Sequence, residues 1–225
     1  MREILLGICP YAIWCIVVCE AVIAALLLTL WLGKKQPVSL LALFVTLGLI
    51  LDAVIIGLGA FLQTETLHAV SPVRFIAHGL LIPLLFPICG YALELKKPVM
   101  RVLWVLTVLL MAAGAAEGAC TILELREIAG VIRFASGETT PKWADMISSI
   151  LSFGTVIPMM IVGVIVWIRQ KTPHLFLSGF FMFLFSALGP ATGNADLIFF
   201  ISMFGELFMV LFLYLYARGR SDPER

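Results

Sequence analysis

The chain has 225 residues, of which 62% are hydrophobic and only 13% are charged, and its mean hydropathy is +1.09. Soluble domains carry about 25% charged residues, so this composition excludes an ordinary soluble domain and predicts a polytopic membrane protein. The formal net charge is only +1, and no lysine- and arginine-rich run with interleaved aromatic residues occurs, which argues against nucleic-acid binding.

Seven apolar segments are long enough to cross a bilayer, because a helix needs about 20 residues to span roughly 30 Å of hydrocarbon. The first segment is too long for a signal peptide and contains Pro10 and Glu20, so it predicts an uncleaved span. The sixth and seventh are separated by a glycine- and proline-containing turn, which favours two helices over one. We therefore predict a single domain, an all-α bundle of seven transmembrane helices. The predicted spans are about 8–33, 38–62, 74–95, 99–118, 145–168, 174–192 and 195–217.

Basic residues are distributed unevenly between the two ends of these spans, with ten at one end and five at the other. Cytoplasmic loops of membrane proteins carry the excess of lysine and arginine. We therefore predict a multi-pass protein of the cell membrane with its N-terminus outside and its C-terminus in the cytoplasm. The ten basic residues at the predicted cytoplasmic end are Lys34, Lys35, Lys96, Lys97, Arg101, Arg169, Lys171, Arg218, Arg220 and Arg225.

The longest connection between spans, about 119–144, lies on the predicted outer face. Its apolar residues recur at helical spacing between charged ones, a pattern carried by Ile122, Leu125, Ile128 and Ile132. This pattern predicts a short amphipathic helix at the membrane surface, or an extension of the fourth span. We expect the segment to cap the bundle.

Six ionisable residues lie in stretches that are otherwise apolar. A charge in the hydrocarbon core costs several kcal/mol, so such residues usually face a polar cavity and mark a functional site. Counting depth at about 1.5 Å per residue from the cytoplasmic charges puts all of them between mid-membrane and the outer surface. The six residues are Glu20, Asp52, Arg74, His78, Glu117 and Glu206.

Arg74 and His78 are four residues apart, which stacks them on one face of the third span. Cations on that face can neutralise acids from the first, second and seventh spans in a water-accessible cavity. We therefore predict an outward-facing intramembrane polar pocket. Its predicted residues are Glu20, Asp52, Arg74, His78 and Glu206, with Glu117 and Asn194 as possible further members.

The sequence offers little for a metal or cofactor. The three histidines fall at different depths, so a three-histidine zinc site is not expected, whereas a carboxylate-rich cation site stays open. The five cysteines include no CxxC pair. Cys9 and Cys120 fall toward the same predicted face, and a disulfide bond between them stays open. We predict no metal and no cofactor.

The third span reads RFIAHGLLIPLL from Arg74 onward. It resembles the third helix of microbial rhodopsins, in which an arginine and an aromatic residue precede a proline at this spacing. The resemblance implies a seven-helix arrangement with the first, second, third and seventh spans around a shared cavity. Rhodopsins hold retinal through a lysine in the seventh span, and 195–217 contains none, which argues against covalent retinal. Ala77 also stands where the family's pumps have an acidic counterion.

The chain also resembles an uncharacterised family of small microbial membrane proteins. That family has an acid in the second span, an Arg-Phe-x-x-His motif and a later Gly-Asn…Glu segment. The matching residues here are Asp52, Arg74, Phe75, His78, Gly193, Asn194 and Glu206. This resemblance implies no function.

Three functions are compatible with the predicted pocket. The first is binding or transport of a proton, a cation or a small polar ligand, because buried acids commonly carry protons and cations through membranes. The alternative is an intramembrane enzyme for a lipid or prenyl-type substrate, with His78 and a carboxylate as acid and base and Arg74 holding a phosphate. The third is a sensor or assembly factor that needs a separate output partner. The expected partners are the lipid bilayer and a small ligand, ion or lipid, and the oligomeric state stays open.

Overall fold

A computed structural model of the chain describes residues 2–128, 130–191, 193 and 195–220. The described part consists of eight α-helices and one β-hairpin. In chain order the elements are α1 (Arg2–Lys34), α2 (Pro37–Leu58), α3 (Thr64–Leu81), α4 (Leu85–Ala92), α5 (Lys97–Cys120), β1 (Leu123–Ile128), β2 (Val131–Ser136), α6 (Lys142–Gln170), α7 (His174–Ala191) and α8 (Ala195–Gly219).

Helices α3 and α4 form one long helical segment that is interrupted by a 3-10 turn, Ile82–Leu84. Pro83 explains the interruption, because it has no N–H to donate to the carbonyl four residues earlier and its ring crowds that turn. Together the two helices make a continuous apolar unit, Thr64–Ala92, of 29 residues. The predicted third span, 74–95, therefore begins about three turns earlier than expected.

Six of the described helices are long and apolar enough to cross a membrane, and a seventh, His174–Leu188, is apolar but shorter. Length and composition are those of a multi-pass membrane protein. The predicted helical bundle is confirmed. The break between the sixth and seventh spans also appears, since α7 ends at Ala191 and α8 begins at Ala195.

The segment between α5 and α6 is a β-hairpin, so the prediction of an amphipathic helix there is wrong. Strands β1 and β2 pair antiparallel, and Ile128 opposite Val131 closes the ladder at the turn. Gly130 lies in that turn with φ of 76°, a left-handed conformation that glycine adopts without strain. Because β-branched residues flank this turn on both sides, strand pairing prevails over the helical spacing of Ile122, Leu125 and Ile132.

The hairpin covers one end of the helix bundle. Val131 is fully buried among side chains of α1, α2 and α8, including Ile13 and Met203. Phe134 is buried against Ile55 and Leu67 of α2 and α3. The expected cap over the bundle is therefore present, but it consists of strands.

The helices contact one another in a ring. Each long helix contacts the next in chain order, α8 returns to α1, and α2 also contacts α8. This arrangement brings the inner faces of α1, α2, α3 and α8 to a common region beneath the hairpin, which is where four of the ionisable residues from the sequence lie.

Candidate functional site

An ion pair between Arg74 and Asp52 links three elements beneath the hairpin. The Nε of Arg74 donates to Oδ1 of Asp52 at 2.7 Å, and the two side chains are only 11% and 12% exposed. The Nη1 of Arg74 also donates to the backbone carbonyl of Phe134, at 3.3 Å. Its guanidinium carbon lies 4.9 Å from the ring centre of Phe75. Arg74 thus joins α2, α3 and β2.

Glu20 is fully buried near this ion pair. Neither of its carboxylate oxygens has a hydrogen-bond partner among the described residues. The Oε2 atom of Glu206 is also buried without a hydrogen-bond partner among the described residues. Glu206 interacts electrostatically with Asp52 and with Glu20, so α1, α2 and α8 each bring one carboxylate to the same region.

Arg133 on β2 belongs to the same group, although in the sequence it is only one of the five basic residues at the predicted outer end. It interacts electrostatically with Arg74, Asp52 and Glu206. Burial, with repulsion from Arg74, lowers the pKa of Arg133 to about 10, so the guanidinium stays charged at neutral pH. The strand period of two could have found it, because it places Arg133 on the same face as the buried Val131.

These residues form what we call the charged cluster, with three carboxylates and two guanidinium groups. His78 lies at its edge and interacts electrostatically with Asp52 and Arg74. The charged cluster consists of Glu20, Asp52, Arg74, Arg133 and Glu206.

A cavity of about 310 Å³ adjoins the charged cluster between α3, α6, α7 and α8. His78 and Glu206 are its ionisable residues, and five hydroxyl groups from α6 and α7 supply further polar atoms. The remaining walls are apolar. The hydroxyl-bearing residues are Ser148, Ser149, Ser152, Thr155 and Ser186, and the apolar residues are Leu49, Ile82, Leu85, Phe153, Val156, Met182, Phe183 and Met209.

The single pocket expected from the sequence is thus divided into two adjoining parts. Asp52, Arg74 and Glu20 lie in the charged cluster and do not line the cavity, whereas His78 does. Glu206 is common to both parts. The hydroxyls of Thr155 and Ser186 also line the cavity, although serine and threonine side chains often bond their own helix.

Of the two possible members, Glu117 does not join this site. Glu117 is buried on α5, where its Oε1 accepts a hydrogen bond from the Thr121 hydroxyl at 3.2 Å. Its charged neighbour is Asp145 of α6. Asn194 lies outside the described residues.

The other groups considered for metals or disulfides lie apart from the site. His68 packs edge-on against Phe134, with 4.8 Å between ring centres, and His174 is 2.9 Å from the Thr172 hydroxyl. Within the described ranges, no three histidine, cysteine or acidic side chains are placed to hold a metal ion. No disulfide bond joins Cys9 to Cys120.

The chain matches no protein-family model, and no curated protein is significantly similar to it in sequence. The function therefore has to be inferred from the geometry of the site itself.

Proposed function

We propose that this chain is a multi-pass protein of the cell membrane that binds a small polar ligand in the cavity and a proton in the charged cluster. The observation that carries this proposal is the position of Glu206. One buried carboxylate lines the cavity and also interacts with every other member of the charged cluster. A ligand in the cavity and a proton in the charged cluster therefore both interact with the carboxylate of Glu206.

The charge balance of the cluster supports a bound proton. Three carboxylates face two guanidinium groups, and arginine side chains stay charged in proteins. An uncompensated charge in a low-dielectric interior costs several kcal/mol. One proton, on Glu20 or Glu206, makes the cluster neutral.

The size and lining of the cavity support a small ligand. Pockets for small molecules range from about 300 to 1,000 Å³ and combine mostly apolar walls with a few convergent polar groups. The cavity measures about 310 Å³ and has one imidazole, one carboxylate and five hydroxyls among apolar residues. It therefore suits a compact molecule whose polar groups hydrogen bond to His78, Glu206 and the serines.

The outward orientation of the site is supported by the distribution of basic residues. The charged cluster lies beneath the hairpin, and the lysine- and arginine-rich connections lie at the other end of the helices. By the positive-inside rule, the hairpin end is outside. Binding of a ligand together with a proton from this side is what a proton-coupled carrier requires.

Enzyme chemistry has less support. A His78–Asp52 dyad would need Asp52 to face His78, and a phosphate-binding role would need the donors of Arg74. Asp52 and Arg74 are instead bonded to each other at 2.7 Å, which occupies Oδ1 of Asp52 and Nε of Arg74.

Infrared spectroscopy of the purified protein tests the bound proton, because a protonated carboxyl group has a C=O stretching band of its own. Either Glu20→Gln or Glu206→Gln leaves two carboxylates facing two guanidinium groups, which are neutral without a proton. We therefore expect each variant to lose the band intensity of one carboxyl group at neutral pH. Glu65→Gln, at an exposed acid in the first turn of α3, is the control and keeps it.

Unchanged intensity of the carboxyl band in both Glu20→Gln and Glu206→Gln would contradict a proton bound in the charged cluster.

The ligand is tested on the same preparations with Ser186→Phe, which fills the cavity, and Ile150→Phe, which adds the same ring at an exposed position of α6. We expect native mass spectrometry to detect a retained small molecule in the parent and in Ile150→Phe. Equal retention in Ser186→Phe would argue against the cavity as the binding site.

A further inference from the structure

A second cleft, of about 540 Å³, opens at the opposite end of the bundle from the hairpin. It lies between the end of α4, the start of α5 and the residue that follows α8. Three of its side chains are cationic, one is acidic and two are aromatic. The lining residues are Tyr91, Glu94, Leu95, Lys97, Met100, Arg101, Trp104 and Arg220.

Arg220 is held in this cleft by its backbone. Its carbonyl oxygen accepts hydrogen bonds from Lys34 Nζ at 3.2 Å and from Gln36 Nε2 at 3.3 Å, so the end of α1 and the residue before α2 fix the position of the chain. Its side chain is only 15% exposed, and its Nη2 lies 3.9 Å from Oε1 of Glu94. That separation is an ion pair without a hydrogen bond, and Glu94 itself is 69% exposed.

The cleft carries an excess of positive charge. Lys97, Arg101 and Arg220 contribute three charges and Glu94 removes one, which leaves a formal charge of +2. The first turn of α5 faces the same region and adds the partial positive charge of a helix N-terminus. An anion with several oxygen acceptors, such as a phosphate group, matches this set of donors.

The surface of α5 next to the cleft is apolar and exposed. Val105, Val108 and Leu109 are 62%, 56% and 63% exposed, and they follow Arg101 by four, seven and eight residues, which places them on the same side of the helix. Trp104 lines the cleft beside the cationic groups, and tryptophan is enriched at membrane interfaces. A ligand held at the cleft by an anionic group could therefore lay hydrocarbon chains along α5.

We propose that this cleft binds the headgroup of an anionic phospholipid, with the phosphate at Lys97, Arg101 and Arg220 and the acyl chains along α5. The same donors would accept free phosphate, but the continuous apolar side of α5 favours the lipid. This proposal rests on the membrane location of the chain and is independent of the cavity near the hairpin, so either can fail without the other.

The test is native mass spectrometry of the full chain, titrated with phosphatidylglycerol and, in parallel, with zwitterionic phosphatidylcholine. Removing one cation near the membrane surface weakens binding by about fivefold. We expect this loss of phosphatidylglycerol affinity in Arg101→Gln and in Arg220→Gln. Arg169→Gln is the matched control, because Arg169 is exposed at the same end of the bundle and does not line the cleft.

A gain-of-binding variant separates the proposal from simple misfolding. Glu94→Gln removes the one negative charge of the cleft, so we expect tighter phosphatidylglycerol binding, which an unfolded protein would not give. An equal loss in Arg169→Gln, or no change in all three cleft variants, would overturn the site. Displacement of the lipid by inorganic phosphate at equal concentration would overturn the lipid as ligand and assign the cleft to free phosphate.

Discussion

At the scale of single residues, the side chain of Arg74 joins three elements of the structure. Its guanidinium bonds Asp52 on α2 and the carbonyl of Phe134 on β2, and it is almost completely buried. A buried charge whose partner is removed is left uncompensated, which destabilises a protein by about 3–5 kcal/mol. Removing both charges together avoids most of that cost.

This reasoning gives a double-variant prediction. We expect Arg74→Met and Asp52→Leu each to lower the free energy of unfolding by about 3 kcal/mol, and the double variant to cost far less than their sum. Denaturant unfolding in detergent measures all three. Arg126→Gln, at an exposed pair with Glu124 separated by 3.6 Å, is the control and should cost less than about 1 kcal/mol. Strictly additive costs would show that the two charges do not depend on each other.

Arg133 shows what residue-level reading of a sequence omits. Its charge and position are visible in the sequence, but its role depends on β2 being a strand that turns this residue toward the bundle. A helix in the same place would have spaced Val131 and Arg133 about 200° apart around its axis. The local periodicity pointed to the wrong element, so a member of the charged cluster was missed.

At the scale of elements, the packing of α3 on α5 positions the residues that α3 contributes to the site. Gly79 of α3 and Gly114 of α5 bring the two backbones into contact, and a Cβ added at either would collide with the other backbone. Gly118, one turn further along α5, meets the backbone of Phe75 in the same way. Small residues at four-residue spacing allow such close helix contacts in membranes. Because α3 also carries Arg74 and His78, this contact sets their distance from the other helices.

We therefore expect Gly114→Ala to destabilise the protein by about 1–3 kcal/mol, since backbone atoms cannot move aside as side chains do. Gly33→Ala is the matched control. Gly33 lies in α1 with open space around it, so alanine there should be neutral or stabilising by up to about 1 kcal/mol through its helix propensity. Thermal unfolding of the two variants makes the comparison, and equal melting temperatures would contradict the close contact.

At the scale of the whole molecule, the two ends of the bundle are different. One end carries the hairpin above the charged cluster. The other is basic and is tied together by hydrogen bonds between elements, such as Gln170 Nε2 to the carbonyl of Ala92 at 3.0 Å and Lys34 Nζ to that of Arg220 at 3.2 Å. This asymmetry underlies the proposed orientation, with the hairpin outside.

The orientation can be tested by thiol labelling of intact cells. In a variant whose five native cysteines are replaced by alanine, we expect an impermeant reagent to label Ser136→Cys on the hairpin. It should not label Lys96→Cys between α4 and α5 until the membrane is permeabilised. Both positions are exposed, so access alone decides the outcome. The reverse pattern would invert the topology and place the charged cluster near the cytoplasm.

The helices could be predicted from the sequence, because they depend on local properties. Hydrocarbon requires about 20 apolar residues per span, and each residue advances a helix by a constant rise. Glu20, Asp52 and Glu206 stood out for the same reason, since each interrupts a long apolar stretch. The break between α7 and α8 could also be predicted, from the glycines and the proline around it.

The partners of those residues depended on the tertiary structure. Which side chains meet is decided by how far each helix is rotated and how closely neighbours pack, and neither is encoded in one segment alone. The pairing of Asp52 with Arg74, the position of Glu206 between cluster and cavity, and the strands of the hairpin all depend on contacts between elements distant in the chain. Local hydrophobicity determines that a segment crosses the membrane, but only the packed bundle determines what it faces there.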